Sequence, residues 1–247
     1  MSAEIEDLSG TDAGLGAPSA PRVRDQTGAG ADGRLRVYSR RGAWVVLLAF
    51  ALGGLVIDLA SKAYAFAHVA GAPVEVRRAD VLEITARDAH RLSLLIPAHP
   101  PVVVVPKVLD FTLVLNPGAV FGIGAGARFF FIAFTAVAIG FSLFMFHRWT
   151  RPRDFAAHAA LGLLISGGLG NLYDRLLFGC VRDFIHPVPG MMLPFGWSLM
   201  GSREVWPWVS NLADLFLIIG IGMLVWYLMR EPARAGAEAR AREGAAC

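Results

Sequence analysis

The sequence predicts an α-helical polytopic membrane protein with four transmembrane helices and a small extracytoplasmic β-sheet. Of the 247 residues, 55% are hydrophobic and 17% are charged, whereas soluble domains carry about 25% charged residues. Four runs are apolar and long enough to cross a bilayer, and they cover 42–66, 127–146, 155–177 and 212–229. A segment between the first two runs alternates apolar and polar residues, which is typical of a β-strand.

The positions of the arginines indicate how these spans are oriented. Basic residues precede the run 42–66, lie in the short link after 146, and follow the run 212–229. By the positive-inside rule these three segments are cytoplasmic, so 67–126 and 178–210 face the other side. The loop 67–126 also carries basic residues, but long loops are translocated with little regard to charge. The net charge of +3 is small, and the arginines cluster beside the spans, so no nucleic-acid binding is expected.

The chain is predicted to divide into a membrane domain and two tails. We expect 1–41 to be a disordered cytoplasmic tail, because residues 1–33 are rich in Gly, Ala, Asp and Glu without an apolar period. It is not expected to be a signal peptide, since the first apolar run starts only at residue 42. The membrane domain covers 42–229, and a second cytoplasmic tail, 230–247, could form a short helix.

The outer loop 67–126 is predicted to be rich in β-structure. In "KVLDFTLVLN", the apolar residues Leu109, Phe111, Leu113 and Leu115 recur at a period of two and so share one face of a strand. The runs "VEVRR", "VLEIT" and "VVVV" are β-branched and bounded by prolines, which predicts further short strands. A small sheet on the outer membrane face is the simplest interpretation.

Polar side chains collect near the outer ends of the predicted spans. At a rise of about 1.5 Å per residue, Asp58 lies roughly 24 Å from Gly42 and Asp174 roughly 28 Å from Phe155. Both therefore approach the outer edge of a hydrocarbon core of about 30 Å. Polar groups at such positions are costly and indicate function. The cluster consists of Asp58, Lys62, Asn116, Asn171, Asp174, Arg175, Asp183, Asn211 and Asp214.

Structural roles account for part of this cluster as well. Asp58 and Lys62 stand at i and i+4 and could simply pair along one helix. Asn171, Asp174 and Arg175 share a helix face and could lock helices together. Asn211 could be a helix N-cap with Asp214 in the first turn. Three glycines of the third span are expected to allow close helix packing, and these are Gly167, Gly168 and Gly170.

Carboxylates are the remaining candidates for catalytic groups. The histidines form no H-E-x-x-H pattern and no tight pair, so no metal site is predicted. Two aspartates close together in a partly dry site share one proton, so that one can activate water while the other polarises a carbonyl. Aspartyl hydrolysis of this kind needs no cofactor. The sequence offers Asp183 and Asp214, each beside an apolar helix end on the same side of the membrane.

Five ordered blocks give the chain a family resemblance over residues 42–229. They are "DLASK" (58–62), "NPGAVFG" (116–122), "GGLGNLYDR" (167–175), "GCVRDF" (179–184) and "NLAD" (211–214). In these blocks the chain resembles lipoprotein signal peptidase (signal peptidase II), a family of intramembrane aspartyl proteases. The resemblance implies that Asp183 and Asp214 are the catalytic pair. It assigns supporting positions to Asp58, Lys62, Asn116, Asn171, Asp174, Arg175 and Asn211.

The resemblance also implies a substrate, a membrane and an architecture. Members of the family have four transmembrane helices with both termini cytoplasmic, an outer β-cradle and a loop over the site. They cleave diacylglyceryl-modified prolipoproteins just before the lipidated cysteine, in the bacterial inner membrane among its lipids. Globomycin-type cyclic peptides inhibit the family and are candidate inhibitors here, and we expect a monomer. The chain departs from the family pattern at Leu59 and Leu215, where Gln and Ser are frequent, in its long loop 67–115, and in its N-terminal extension.

Two other classes of function remain open from the residues. A small transporter could use intramembrane carboxylates for ion coupling, but it would be favoured by inverted repeats, which the sequence does not display. A non-enzymatic assembly factor with a degenerate site is disfavoured by the presence of both Asp183 and Asp214.

The orientation can be tested with reporter fusions. Fusions after Thr150 and after Arg230 should report a cytoplasmic location, and a fusion near His90 an extracytoplasmic one, because of the arginine distribution. A cytoplasmic signal at His90 would place the polar cluster on the wrong side of the membrane and contradict the proposed chemistry.

Overall fold

The computed structural model describes residues 41–118, 128–198 and 201–244, with the backbone alone for 128 and 231–244. The helices in these ranges are α1 (Arg41–His68), α2 (Arg78–Arg87), α3 (Arg128–Arg148), α4 (Phe155–Leu177) and α5 (Leu212–Gly244). The strands are β1 (Val102–Val105), β2 (Leu109–Asn116) and β3 (Val181–Pro187). Two short 3₁₀ segments cover Ala89–Leu95 and Pro194–Gly196.

The four predicted membrane-spanning helices are confirmed. In the described part of the chain, four helices are long and apolar enough to cross a membrane, and they cover Arg41–His68, Phe129–Arg148, Phe155–Leu177 and Leu212–Arg230. The apolar stretch of α4 is 67% buried within the protein, against 28% for α1 and 17% for each of the other two. Helix α4 is therefore the centre of the bundle, and the other three expose their apolar side chains around it.

Glycines bring α4 close to its neighbours. A Cβ placed on Gly162 would lie 2.6 Å from the carbonyl oxygen of Leu47 in α1. A Cβ on Gly167 would lie under 3.0 Å from the backbone of Ala213 in α5. Both positions require glycine because the facing groups are backbone atoms, which cannot move aside as a flexible side chain can. The expected role of Gly167 is thus confirmed, while Gly168 has ordinary space around it, its nearest neighbour being Thr135 at 3.4 Å.

The three strands form one antiparallel sheet in the order β1-β2-β3. Strand β2 pairs with β3 from Leu109 opposite Pro187 to Asn116 opposite Val181. The strands "VVVV" and "LDFTLVLN" are confirmed as β1 and β2. Strand β3 contains most of "GCVRDF", which the sequence did not predict to be extended. The pairing places Asn116 and Asp183 near the same end of the sheet.

The predicted strands before residue 96 are wrong. The segment "VEVRR" has no strand, and "VLEIT" lies inside helix α2, which is followed by the 3₁₀ segment Ala89–Leu95. Val81 and Ile84 stand three residues apart, and both pack into the core beneath the sheet. Asp88 then begins the 3₁₀ segment by accepting a hydrogen bond from the His90 N–H at 3.0 Å. Burial of one helical face has outweighed the β-propensity of these branched residues, which is a weak preference.

An apolar core joins the sheet to the outer end of helix α1. It unites Phe66 of α1, Val81 of α2, Leu113 of β2 and Phe184 of β3. Strand β3 is buried over its first four residues. The strand that carries Asp183 is therefore held rigidly against the outer end of α1.

The predicted tails lie mostly beyond the described residues. The structure begins at Arg41, so the disorder expected for 1–41 stays a prediction. At the other end, α5 continues to Gly244, in agreement with the helix that the composition of 230–247 allowed. Part of the block "NPGAVFG" also falls in the gap, from Ala119 onward.

Candidate active site

The polar residues predicted for the site lie together, where β3 meets the ends of α1, α4 and α5. Asp183 projects from β3 and is 1% exposed, whereas Asp214 in the first turn of α5 is half-buried. Hydrogen bonds, ion pairs or a shared cavity connect all of the predicted members, namely Asp58, Lys62, Asn116, Asn171, Asp174, Arg175, Asp183, Asn211 and Asp214.

Two amides bind the carboxylate of Asp183. The Nδ2 of Asn116 donates to its Oδ2 at 3.1 Å, and the Nδ2 of Asn211 donates to its Oδ1 at 2.5 Å. Asn116 is the last residue of β2 and Asn211 precedes α5, so two different elements hold this side chain in position. The carboxylate orientation is therefore determined by the fold and not by the strand alone.

The carboxylate of Asp214 is bound by the turn that begins α5. The N–H of Asn211 donates to Oδ2 of Asp214 at 3.3 Å, and the N–H of Asp214 donates to Oδ1 of Asn211 at 3.1 Å. These reciprocal bonds form a capping box, which satisfies donors at the helix start. The expected N-cap role of Asn211 is thus confirmed. Asn171 adds a third bond, from its Nδ2 to Oδ1 of Asp214 at 2.8 Å.

A chain of amides connects the two aspartates. The Nδ2 of Asn211 donates to Oδ1 of Asp183 and also to Oδ1 of Asn171, at 3.1 Å. Asn171 in turn donates to Asp214. A side-chain amide has two N–H donors, so Asn211 can make both bonds at once. The two carboxylates are consequently parts of one hydrogen-bonded unit.

Lys62 determines which way the Asn171 amide points. Its ammonium is fully buried, 2.8 Å from Asp58 Oδ2 and 3.5 Å from Asp174 Oδ2, and it donates to Oδ1 of Asn171 at 3.1 Å. A lysine ammonium can only donate, so the Asn171 atom that faces it must be the oxygen. The NH₂ group of Asn171 is therefore directed toward Asp214.

Asp58 has a second partner besides the predicted Lys62. Its Oδ1 accepts a hydrogen bond at 2.9 Å from the backbone N–H of Ala213, in the first turn of α5. The first N–H groups of a helix lack partners within the helix, and Asp58 satisfies one of them from α1. The i,i+4 pairing is confirmed, but the contact with α5 has no local sequence signal, because it joins residues 155 apart.

Asp174 attaches helix α4 to strand β3 through Arg182. The guanidinium Nε and Nη2 of Arg182 donate to Asp174 Oδ1 at 3.2 and 2.8 Å, and the Arg182 N–H donates to Oδ2 at 3.0 Å. Arg182 also lies over the ring of Phe178, 4.1 Å from its centre. Arg182 was not among the predicted site residues. The available signal was its place beside Asp183 in "GCVRDF", and it acts by fixing the start of the strand.

Arg175 lies beside the aspartates without pairing directly with them in the described structure. Its Nη1 donates to the backbone oxygen of Asn171 at 3.3 Å, and its guanidinium lies 5.0 Å from the ring centre of Phe131. The side chain lines the same cavity as Asp183 and Asp214. It therefore supplies positive charge to the cavity wall.

Burial raises the pKa of Asp183 from its usual value of 3.8 to about 7. The loss of hydration is the main cause, and the charge of Asp214 adds to it, while the hydrogen bonds from Asn211 and Asn116 oppose it. Near neutral pH the side chain can therefore hold a proton beside a second carboxylate. This is the arrangement that acid–base chemistry by an aspartate pair requires.

Two cavities meet at this pair. One, of about 1150 Å³, is lined by Asn116, Arg175, Asp183 and Asp214 and extends to the 3₁₀ segment Ala89–Leu95. The other is a groove of about 910 Å³ between α1 and α5, walled by apolar side chains that include Tyr64 and Ile218, and it also reaches Asp214. The site is open to a polar compartment on one side and to an apolar one on the other.

Comparison with known proteins identifies related sequences and a related fold. A family model described as signal peptidase (SPase) II matches residues 50–230. The lipoprotein signal peptidase of Syntrophotalea carbinolica is 37% identical over 139 residues, which cover 55% of this chain and 78% of that protein. The lipoprotein signal peptidase of Halothermothrix orenii is 36% identical over 128 residues, covering 52% and 75%.

Two solved structures, both titled as bacterial membrane enzymes, share the fold. One has a TM-score of 0.52 at 22% identity and covers 76% of this chain and 90% of its own. The other has a TM-score of 0.51 at 21% identity, with coverages of 75% and 93%.

The buried ion pair gives a stability prediction. Asp58→Ala should lower the melting temperature and the yield of folded protein, because it leaves the Ala213 N–H without its acceptor and removes a partner of the buried Lys62. Breaking a buried pair costs about 3–5 kcal/mol. The measurement is a thermal melt of purified protein in detergent, with gel filtration for the yield.

The matched control for this variant is Glu83→Ala. It removes the exposed i,i+4 ion pair with Arg87, in which Arg87 Nη2 lies 2.9 Å from Glu83 Oε1, and exposed pairs contribute little. Asp58→Asn, which keeps an oxygen for Ala213, should be intermediate. Equal melting temperatures for Asp58→Ala and Glu83→Ala would contradict the assigned role.

Proposed function

The chain belongs to the signal peptidase II family, a family of proteases that remove signal peptides from lipoproteins, and on that premise we propose that Asp183 and Asp214 are its catalytic pair. The proposed substrates are diacylglyceryl-modified prolipoproteins, cleaved just before the lipidated cysteine. The observation that carries the proposal is the amide chain joining the two carboxylates, with the apolar groove leading to one of them.

In the proposed reaction the two aspartates have opposite protonation states. Asp183, with its raised pKa, is protonated and donates a hydrogen bond to the carbonyl oxygen of the scissile peptide bond. Asp214 is ionised and takes a proton from the attacking water as its oxygen bonds to the carbonyl carbon. When the tetrahedral oxyanion collapses and the C–N bond breaks, the proton on Asp214 passes to the leaving nitrogen, while Asp183 keeps the proton with which it bound the oxyanion.

The surrounding amides support this division of roles. Asp214 accepts hydrogen bonds from the Asn171 side chain and the Asn211 backbone, and these bonds hold its carboxylate in one orientation. Asp183 is nearly inaccessible, so its environment favours the neutral form. Arg175 adds positive charge at the cavity wall, where the negative charge of the intermediate would develop.

The groove between α1 and α5 supports a substrate that arrives from the lipid. Its walls are apolar, and the helices on either side expose Tyr64 and Ile218 on their outer surfaces. A peptide bond next to a lipidated residue could approach Asp214 along this groove while the acyl chains stay in the bilayer. We further propose that the chain acts as a monomer in the bacterial inner membrane, with both termini cytoplasmic, and that globomycin-type cyclic peptides inhibit it.

Isosteric replacement tests the catalytic pair. Asp183→Asn and Asp214→Asn should fold normally and lose almost all cleavage of a diacylglyceryl-modified prolipoprotein, because an amide cannot act as a base or pass a proton. Positioned acid–base groups contribute about 10²–10⁴-fold each. The double variant should be scarcely worse than either single one, because the pair acts as a unit. The assay is gel-shift detection of the shortened product, with melting curves to verify folding.

The control for this test is Asp174→Asn, which disturbs the attachment of Arg182 without removing either proposed catalytic group. It should cleave more slowly than the unmodified chain but faster than the Asp183 and Asp214 variants. Near-normal cleavage by either Asp183→Asn or Asp214→Asn would end the aspartyl-protease assignment and favour the transporter alternative.

The raised pKa of Asp183 predicts a pH dependence. Cleavage should decline as the pH rises through about 7, because Asp183 then loses the proton it has to share. Asn116→Ala removes a hydrogen bond that favours the ionised form, so the pKa should increase further and the decline should move to higher pH. The pH profile of kcat/KM measures the shift. Thr112→Val, in the same cavity wall, should leave the profile unmoved, and a downward shift for Asn116→Ala would refute the acid role of Asp183.

A further inference from the structure

A hairpin connects the two elements that carry the aspartates. Between β3 and α5 the chain runs outward and returns. The Leu193 N–H donates to the Arg203 oxygen at 2.7 Å, and the Val205 N–H donates to the Met191 oxygen at 2.8 Å. At its base, Ser210 pairs with Ile185 of β3. We call residues 191–205 the outer hairpin, described here without 199 and 200. Movement of this hairpin would be transmitted to both β3 and the start of α5.

The outer hairpin exposes large apolar side chains at its tip. Phe195 is 89% exposed and Trp197 65%, and Met192, which pairs with Glu204 just below the tip, is 61% exposed. Single exposed apolar residues are common on proteins, but several together mark a contact surface. The two aromatic rings also contact each other, with centres 5.8 Å apart. The tip therefore presents one apolar surface.

The backbone at the tip favours a polar residue or glycine over the residue that is present. Phe195 has φ +58° and ψ +17°, the left-handed region, which bulky side chains rarely adopt and which Asn and Gly adopt readily. A phenylalanine at this position is unfavourable for the hairpin itself, and its ring gains no burial in exchange. An external apolar contact would compensate for both disadvantages.

The base of the hairpin adjoins the lipid-facing surface of the helices. The apolar groove that begins at Tyr64 and Ile218 continues along the sheet to Leu109, Pro187 and Trp206. Val188, which follows Pro187 in the chain, donates its N–H to the backbone oxygen of Val108 at 2.8 Å. Val108 and all four valines of β1 are exposed as well. An apolar surface thus runs from the membrane-spanning helices to the foot of the outer hairpin.

The charge near the tip also suits a membrane surface. A Cβ placed on Gly196 would lie 3.3 Å from Nη2 of Arg203, so the guanidinium lies beside the two aromatic residues. Aromatic rings at the headgroup level together with an arginine are the side chains that anionic lipid interfaces attract.

From these observations we propose that the outer hairpin inserts Phe195 and Trp197 into the leaflet on the side of the β-sheet, with Arg203 at the lipid phosphates. The occupant of this surface is the bilayer itself. The contact would hold β3 and the start of α5 at a fixed depth. The inference goes beyond the proposed proteolytic function and does not depend on it.

A fluorescent label at the tip tests the insertion. The full chain with Cys247→Ser and Phe195→Cys is labelled with the environment-sensitive dye NBD and reconstituted in phosphatidylethanolamine and phosphatidylglycerol vesicles. The remaining Cys180 is buried and should not react. We expect emission shifted to shorter wavelength and mostly lost when the lipids carry a nitroxide at a shallow acyl position. The matched control is Ala86→Cys, which adjoins the exposed Arg87–Glu83 ion pair and should behave as a label in water.

Water-like, unquenched emission at position 195 would overturn the proposal. The same result is expected if the tip binds another protein, because the vesicles contain no other protein.

A second measurement leaves Phe195 in place in case the cysteine variant does not fold. Brominated lipids should quench the tryptophan emission of the unmodified chain more than that of Trp197→Phe, and equal quenching would overturn the proposal as well. Phe195→Asn, which suits the left-handed backbone, should melt in detergent at the same temperature or higher, whereas a lower melting temperature would mean that Phe195 supports the fold and would also overturn the proposal.

Discussion

The site depends on the contacts of the buried Lys62 ammonium. This group joins a carboxylate of α1 to a carboxylate of α4, and it also orients the amide of Asn171. It forms ion pairs with Asp58 and Asp174, whose side chains are fully buried, and it fixes the oxygen of Asn171. Two carboxylates and an ammonium are costly to bury separately, and their mutual contact offsets that cost. Through Asn171 the orientation then passes to Asp214. A charge that touches neither aspartate of the pair thus determines the geometry of one of them.

This network requires the helices to lie unusually close. The Lys62 side chain reaches Asn171 across the interface of α1 and α4, and these helices approach closely at Gly162, where a side chain would strike the backbone of Leu47. The same is true of α4 and α5 at Gly167. In a membrane, packing of small residues replaces the hydrophobic effect as the source of helix association. The polar network and the glycine contacts therefore stabilise each other.

Strand β3 connects the membrane bundle to the part of the protein outside it. Its start is fixed to α4 by Arg182 and Asp174, and its side chains pack in the core with Phe66 of α1. Beyond Pro187 the chain continues toward the outer hairpin, whose exposed tip we propose to insert in lipid. With this proposed insertion, Asp183 would lie between an attachment inside the bundle and one at the membrane surface, which would suit its proposed role at a peptide bond held at a constant depth.

Local patterns in the sequence were sufficient for the four spanning helices and for β2, because runs of bilayer length and strict alternation are properties of neighbouring residues. The ordered blocks also predicted which polar residues lie together, since these side chains are at the ends of those elements. Tertiary structure alone decided the rest. The bond from Ala213 to Asp58, the pairing of Arg182 with Asp174 and the helix containing Val81 depend on partners distant in the chain or on burial, and such contacts leave no period in the sequence.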